Sequence, residues 1–409
     1  MGRRLCGEGE YPAPLLAVAA HRLQGACRAF PDKPLGEQAW AAVLAGALTH
    51  RLTGLLDAAT GDGALPATDA QARQARAAHR AALLRVLALE RALLSVIELL
   101  AGADVESRVL KGSAVAHLDY PDPALRSFID LDVLVRARDV DRAAAVLSAA
   151  GFNRTLAEPR PGFDRRFDKG MTLIPPAGYE LDLHRTFVLG PWGVLVNLDE
   201  LWDGGEEFVV GGRPVRALSR PNRFMHACYH AALGDWPLRL GSLRDVAEML
   251  RRLDRDGASI RRVAADWGTE AVVAAAVAES RRLLGVAPAG ELSRWAERYV
   301  PSRREEDWLA LHTHAGKTFA AQALATLHVL PRWRDKAAYV RALVLPDARY
   351  TAGRHASVLG RFSYALREAR RGRGLRETPQ GPTSTPGEPE KGSPGCPGVP
   401  SRRYGQVSN

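Results

Sequence analysis

Two carboxylates separated by one residue, Asp130 and Asp132, stand in the run Phe128-Ile-Asp-Leu-Asp-Val-Leu-Val135. On a strand alternate side chains share a face, so both acids point one way while Ile129, Leu131, Val133 and Val135 point into a core. Carboxylates one strand repeat apart, roughly 6 to 7 Å along the chain, can converge on hard cations. Magnesium suits them, because it takes one or two carboxylates and keeps its other positions for water and phosphate oxygens. The alternative is an edge strand whose polar face is simply solvated. Upstream, Val109-Leu110-Lys111-Gly112-Ser113 reads as a strand-to-helix junction at which Gly112 and Ser113 let backbone N–H groups approach a phosphate. Downstream, Glu180-Leu-Asp182-Leu-His184 alternates again. Its Asp182 supplies a third carboxylate that completes a metal site or accepts a proton from an attacking hydroxyl, unless it too is solvated. Lys111 and Arg126 are cations for phosphate charge or, equally, exposed flanking residues. His184 reads as a hydroxyl-positioning group or a structural histidine bonded to backbone.

The elements around these residues change character along the chain. From Leu15 to Ala103 apolar residues recur at helical spacing, and the Thr68-Asp69 signal opens the longest helix. Short strands over 109–110, 128–135, 171–174 and 179–184 follow, with a helix over 113–118 and another from Asp139 to Ala150, Asp139 its N-cap and Gly151 its C-cap. Phe208 to Leu218, centred on Gly211-Gly212, reads as a β-hairpin. Helical spacing returns after Ser219, with Pro221 in an opening position and amphipathic stretches over 239–253 and 271–284. The predicted organisation is a helical region 1–104, an α/β core 105–218, a helical domain 219–375 and a tail 376–409. Seven prolines between Pro379 and Pro400 predict that the tail is disordered.

Taken in order, Leu110-Lys-Gly-Ser113, Tyr120-Pro121, Arg126, Asp130-Leu-Asp132-Val-Leu-Val, Gly151-Phe152 and Leu181-Asp-Leu-His184 resemble the uncharacterised nucleotidyltransferase family of bacterial genomes. That family is a branch of the polymerase-beta-like nucleotidyltransferases. Arg223-Phe-Met-His226-Ala-Cys-Tyr-His230 and Leu243-Arg-Asp245-Val-Ala resemble its helical downstream part, so the likeness spans about 85 to 350. The resemblance implies an α/β (α+β) polymerase-beta-like core with a mixed sheet, flanked by helical regions. It implies Gly112 and Ser113 at nucleotide phosphates, Asp130 and Asp132 as ligands of two magnesium ions, and Asp182 as third carboxylate. The expected activity is transfer of a nucleoside monophosphate, AMP from ATP first among the NTPs, to an acceptor hydroxyl with release of pyrophosphate. The competing expectation is a non-catalytic nucleotide-binding, antitoxin-like or biosynthetic accessory module of the same fold. One departure is the spacing: 16 residues separate Ser113 from Asp130, longer than the compact superfamily pattern.

Composition narrows the partners. The 409 residues carry 56 basic and 46 acidic side chains, a net charge of +10, with 46% hydrophobic residues. Half of that excess lies in 361–409, and only six of the cations are lysines, the Arg-rich usage of a GC-rich genome. Nucleic acid is disfavoured, because no aromatic platform is interleaved with the cations. The basic run Arg367 to Arg376 reads as a solvated helix end. The acceptor is left as a small molecule, a peptide or a protein. Charges interrupt the apolar stretch 83–103, so no membrane span is expected. Cys6, Cys27, Cys228 and Cys396 show neither disulfide nor zinc spacing, which fits a reducing cytoplasm. Gly316-Lys317-Thr318 lacks the first glycine of a P-loop. His226 and His230 lack a zinc-protease glutamate between them and read as packed residues, and His312 and His314 do not face each other.

Overall fold

The structure, a computed structural model, describes residues 11–351 apart from 235–237, 254–256, 289 and 314–318. The Gly316-Lys317-Thr318 segment, His314, Cys6, Cys396, the basic run and the proline-rich tail lie outside the described residues. Three helices come first: α1 (Ala13–Ala20), α2 (Glu37–Thr49) and α3 (Thr53–Gly61). The long α4 (Asp69–Gly102) opens where the sequence signal placed it, since Thr68 and Gln71 form a reciprocal capping box. Then follow β1 (Ser107–Val109), α5 (Ser113–Asp119), β2 (Asp130–Val135), α6 (Val140–Ala149), β3 (Asn153–Arg154), α7 (Phe163–Arg166), β4 (Gly170–Ile174), β5 (Glu180–His184), α8 (Pro191–Leu195), β6 (Glu206–Val210) and β7 (Arg213–Ala217). The described residues end with α9 (Arg220–Tyr229), a π-helical turn His230–Gly234, α10 (Leu240–Leu253), α11 (Gly257–Asp266), α12 (Glu270–Leu284), α13 (Glu291–Arg298), α14 (Arg303–Thr313), α15 (Phe319–Val329), α16 (Trp333–Val344) and α17 (Ala348–Thr351).

The seven strands form one mixed sheet in the order β3-β4-β5-β2-β1-β7-β6. β2 pairs antiparallel with β1 and parallel with β5, so the strand carrying Asp130 and Asp132 is interior rather than an edge. The β6–β7 hairpin turns at Gly211-Gly212, both at positive φ, as an Asn-Gly-like turn requires. Asp139 stands at the N-cap of α6 as expected, but its side chain makes no cap bond, and its carboxylate holds Arg142 at 2.7 Å instead.

Two apolar cores lie on opposite faces of the sheet. Leu131, Val133 and Val135 pack with Leu89, Leu93 and Val96 of α4 and with Ala143 and Leu147 of α6. Leu134 faces the other way, into a core shared by α1–α3 and α9–α13. That sharing joins helices from both ends of the chain over the face that bears the acids. Ile129, expected inward, is 47% exposed because β2 begins only at Asp130. No helix among the described residues is long and apolar enough to cross a membrane.

Candidate active site

Asp132 and the β5 residues meet because β2 and β5 run parallel in register, with Asp132 opposite Asp182 and Leu134 opposite His184. The 130–135 and 180–184 runs are rich in Leu and Val, which favour buried strands, and their polar residues recur with period two. Asp132 Oδ1 lies 2.8 Å from His184 Nε2 and 2.8 Å from the Lys111 ammonium. Lys111 reaches it because the Leu110 N–H donates to the Asp132 carbonyl at 3.1 Å, extending the β1–β2 ladder to the Gly112 turn. Asp182 Oδ2 accepts from Lys169 Nζ at 3.1 Å, and its Oδ1 accepts from the Thr172 hydroxyl at 2.5 Å. Donor atoms of Asp132, Asp182 and His184 all lie within 4.8 Å of one another.

Burial by itself would raise the Asp132 carboxyl, but Lys111 and His184 outweigh it and hold the group well below the usual carboxylate range. Asp182 is likewise lowered: burial opposes, and Lys169, His184 and Thr172 prevail. Burial would lower the Lys111 ammonium, yet Asp132 and then Asp130 raise it. Lys111 is therefore a fixed positive charge beside the acids.

The donor set fits a divalent cation. His184 Nδ1 faces the Thr186 carbonyl at 3.3 Å, the backbone bond that orients metal-ligating histidines. Where that nitrogen donates, Nε2 presents its lone pair to a cation shared with the two carboxylates; in the other tautomer Nε2–H donates to Asp132. Two oxygens and one imidazole nitrogen suit magnesium less strictly than an all-oxygen site and accommodate manganese well.

The remaining predicted residues are not all drawn together. Asp130, half-exposed, turns to Arg51, whose Nη1 lies 3.3 Å from its Oδ1. Gly112 sits at φ +52° at the head of α5, where a Cβ would press 3.2 Å from the Phe128 ring. Ser113 is buried and spends its hydroxyl on Glu90 at 2.6 Å, an acceptor shared with His117. Arg126 forks onto Asp245 of α10 at 2.6 and 2.9 Å, and the Tyr120 hydroxyl donates to the same carboxylate. Of the downstream motif residues, Arg223 forks onto Asp119, both fully buried.

Sequence reasoning missed Arg51, Glu90, Lys169 and Thr172, which come from distant elements and carry no motif. Only Thr172 was accessible in principle, because the Pro175–Gly178 turn sets the β4–β5 register that puts it opposite Asp182. His226 proves to lie beside the site, its ring 6.4 Å from that of His184 and 4.7 Å from Phe187. Burial first, then Lys111 and His184, push its pKa well below the usual value, so it is an uncharged ring near neutrality.

An interior sheet that aligns an Asp-x-Asp strand, a parallel third-acid strand and a Lys-Gly-Ser turn defines an α/β protein with a nucleotidyltransferase core. Residues 36–285, more than half of the chain, match the model of the uncharacterised nucleotidyltransferase family, and the chain belongs to that family. No curated protein sequence matches it significantly. Among solved structures, the chain is similar to the solution structure of the antibiotic-resistance factor ANT(2'')-Ia, at 14% identity over 44% of this chain and 92% of that one, TM-score 0.33. It is also similar to the crystal structure of ANT(2'')-Ia in complex with adenylyl-2''-tobramycin, at 15% identity over 44% and 98%, TM-score 0.33. An antigenic nucleotidyltransferase-like protein from Paracoccidioides brasiliensis matches at 13% identity over 44% and 86%, TM-score 0.27.

Proposed function

We propose that the protein transfers a nucleoside monophosphate, AMP from ATP, to an acceptor hydroxyl in the cytoplasm. The observation that carries this reading is the Asp132–Asp182–His184 group on adjacent parallel strands, with the Lys111 ammonium 2.8 Å from Asp132. The acceptor oxygen bonds to the α-phosphorus, the bond from that phosphorus to the bridging oxygen breaks, and pyrophosphate leaves with the electron pair. The acceptor proton passes to solvent, because Asp132 and Asp182 are both held too acidic to keep it. A magnesium or manganese ion held by Asp132, Asp182 and His184 would neutralise phosphate charge. A second ion would have to recruit Asp130 away from Arg51. Lys111 stays beside the acids and compensates incoming phosphate oxygens once they approach the Gly112 turn. Asp132 itself is buried, and the low dielectric around it strengthens its own charge interactions, while the partly exposed Asp182 keeps the site open to solvent.

One observation favours the non-catalytic reading: Lys111 and Lys169 already neutralise Asp132 and Asp182. Thermal melts with ATP alone, divalent cation alone and both separate the two readings. A transfer enzyme shows a shift that requires both components and releases pyrophosphate when acceptor is supplied. A shift with nucleotide alone and no pyrophosphate from any acceptor extract supports the accessory module.

A further inference from the structure

The helix α16 is apolar on two opposite sides, only one of which the fold covers. Tyr339 and Ala342 are buried in a small core with Phe163, Phe167 and Leu330. On the other side Trp333 is 73% exposed, Val340 41% and Val344 36%, and Ala337 is exposed between them. At 3.6 residues per turn these four residues fall within an arc of roughly 60°, turned away from Tyr339 and Ala342. A surface helix ordinarily shows its polar side to water, so a solvent-facing apolar stripe marks a second contact surface.

Cations border that stripe. By helical spacing Arg334 and Arg341 lie along one flank and Lys336 along the other, with Arg332 at the N-cap. None of the four pairs with an acid among the described residues, whereas Asp335, the one acid of the helix, is held by Arg166 at 2.7 Å. The Arg334 guanidinium stands 5.7 Å from the centroid of the Trp333 ring. On the Arg341 flank opens a cleft of about 390 Å³, lined by Phe163, Phe167 and Ala342.

Charge decides what covers this face. The segment 352–376 carries seven arginines and a single acid, Glu368, so folding it back would set arginine against arginine. A second copy joined across a two-fold axis would bring the same cations together. The complement is an anionic surface with an apolar layer beneath it: headgroup phosphates for Arg334, Lys336 and Arg341, and the headgroup–acyl boundary for Trp333, Val340 and Val344. Nucleic acid offers the phosphates but no layer for the two valines. The seven arginines that follow add their attraction to the same surface.

We infer that α16 docks the protein on an anionic lipid bilayer as a peripheral contact, with Trp333 and the valines at the interface and the arginines on the headgroups. This docking does not depend on the transferase reading. The test is co-sedimentation of the full chain with vesicles of two parts phosphatidylcholine to one part phosphatidylglycerol, beside vesicles of phosphatidylcholine alone. Trp333→Ser and the double variant Arg334→Gln/Arg341→Gln are measured in parallel, both with 352–409 intact. The anionic vesicles should bind the protein at least tenfold more tightly than the neutral ones. Trp333→Ser should weaken that binding roughly tenfold and the double variant roughly fivefold for each charge removed. Absence of binding to the anionic vesicles, or undiminished binding in both variants, would overturn the docking, the second by assigning it to the segment beyond α17. A Trp333-dependent dimer in sedimentation velocity, or single-stranded RNA bound through these residues while vesicles are not, would overturn it in favour of another occupant. Melting temperatures of the variants should match the wild type, and a loss of several degrees would show that the stripe is covered within the protein itself.

Discussion

Replacing each acid of the Asp130/Asp132 pair by Asn is expected to give very different costs, although sequence alone treats the two as equivalent. Asp132 is 4% exposed and holds Lys111 and His184 at 2.8 Å each. Asp132→Asn leaves the Lys111 ammonium largely buried without its main counter-charge. Breaking one side of a buried pair costs about 3–5 kcal/mol, and the lower end applies here because Asp130 remains close and an amide oxygen still accepts from His184. Asp130, with its side chain 25% exposed and bridged to Arg51 at 3.3 Å, is a partly solvated pair worth under about 1 kcal/mol. Urea unfolding by circular dichroism, with unchanged m-values, should separate the variants by about 2 kcal/mol or more. Lys111→Met added to Asp132→Asn should recover part of the loss, since the orphaned charge is then gone. Equal midpoints for the two single variants, or no recovery in the double, would refute the buried-pair assignment.

Manganese titration followed by electron paramagnetic resonance should show binding weakened roughly tenfold or more by Asp182→Asn or His184→Ala and little changed by Asp130→Asn, with transfer falling alongside metal affinity in Asp182→Asn. In metal-free protein Lys111→Met should lower the melting temperature, and manganese should restore more of it than it adds to the wild type, because a cation then replaces the missing ammonium on Asp132. Stability should fall as pH drops below the unfolded aspartate range near about 4. The sign follows from Asp132 and Asp182: both are lowered in the fold, so their contribution is complete above the unfolded value and is lost as pH descends through the folded ones. Acid titration of Asp132→Asn should show a shallower decline over that window. Ser113→Ala should cost about 1 kcal/mol through loss of the Glu90 bond, measured by the same urea method.

Local pattern carried much of this protein into view. Period-two alternation placed Asp182 and His184 on one strand face, the Thr68 capping box opened α4, and Gly211-Gly212 turned the last hairpin, because each depends on interactions within a few residues. The family signature in Lys111-Gly-Ser and Asp130-Leu-Asp132 is local in the same sense. Partner choice between distant elements was not legible. The Asp-x-Asp strand, for which a solvated edge was the alternative reading, is interior, because β1 and β5 flank it and helices from both ends of the chain cover its polar face. That placement splits the pair, sending Asp132 to Lys111 and His184 and Asp130 to Arg51, which enters from the loop before α3. Arg126, readable as a phosphate cation, is drawn instead onto Asp245, 119 residues away. Such charges find their partners only after the cores on either side of the sheet have brought them into low dielectric, where an unpaired charge is too costly to leave.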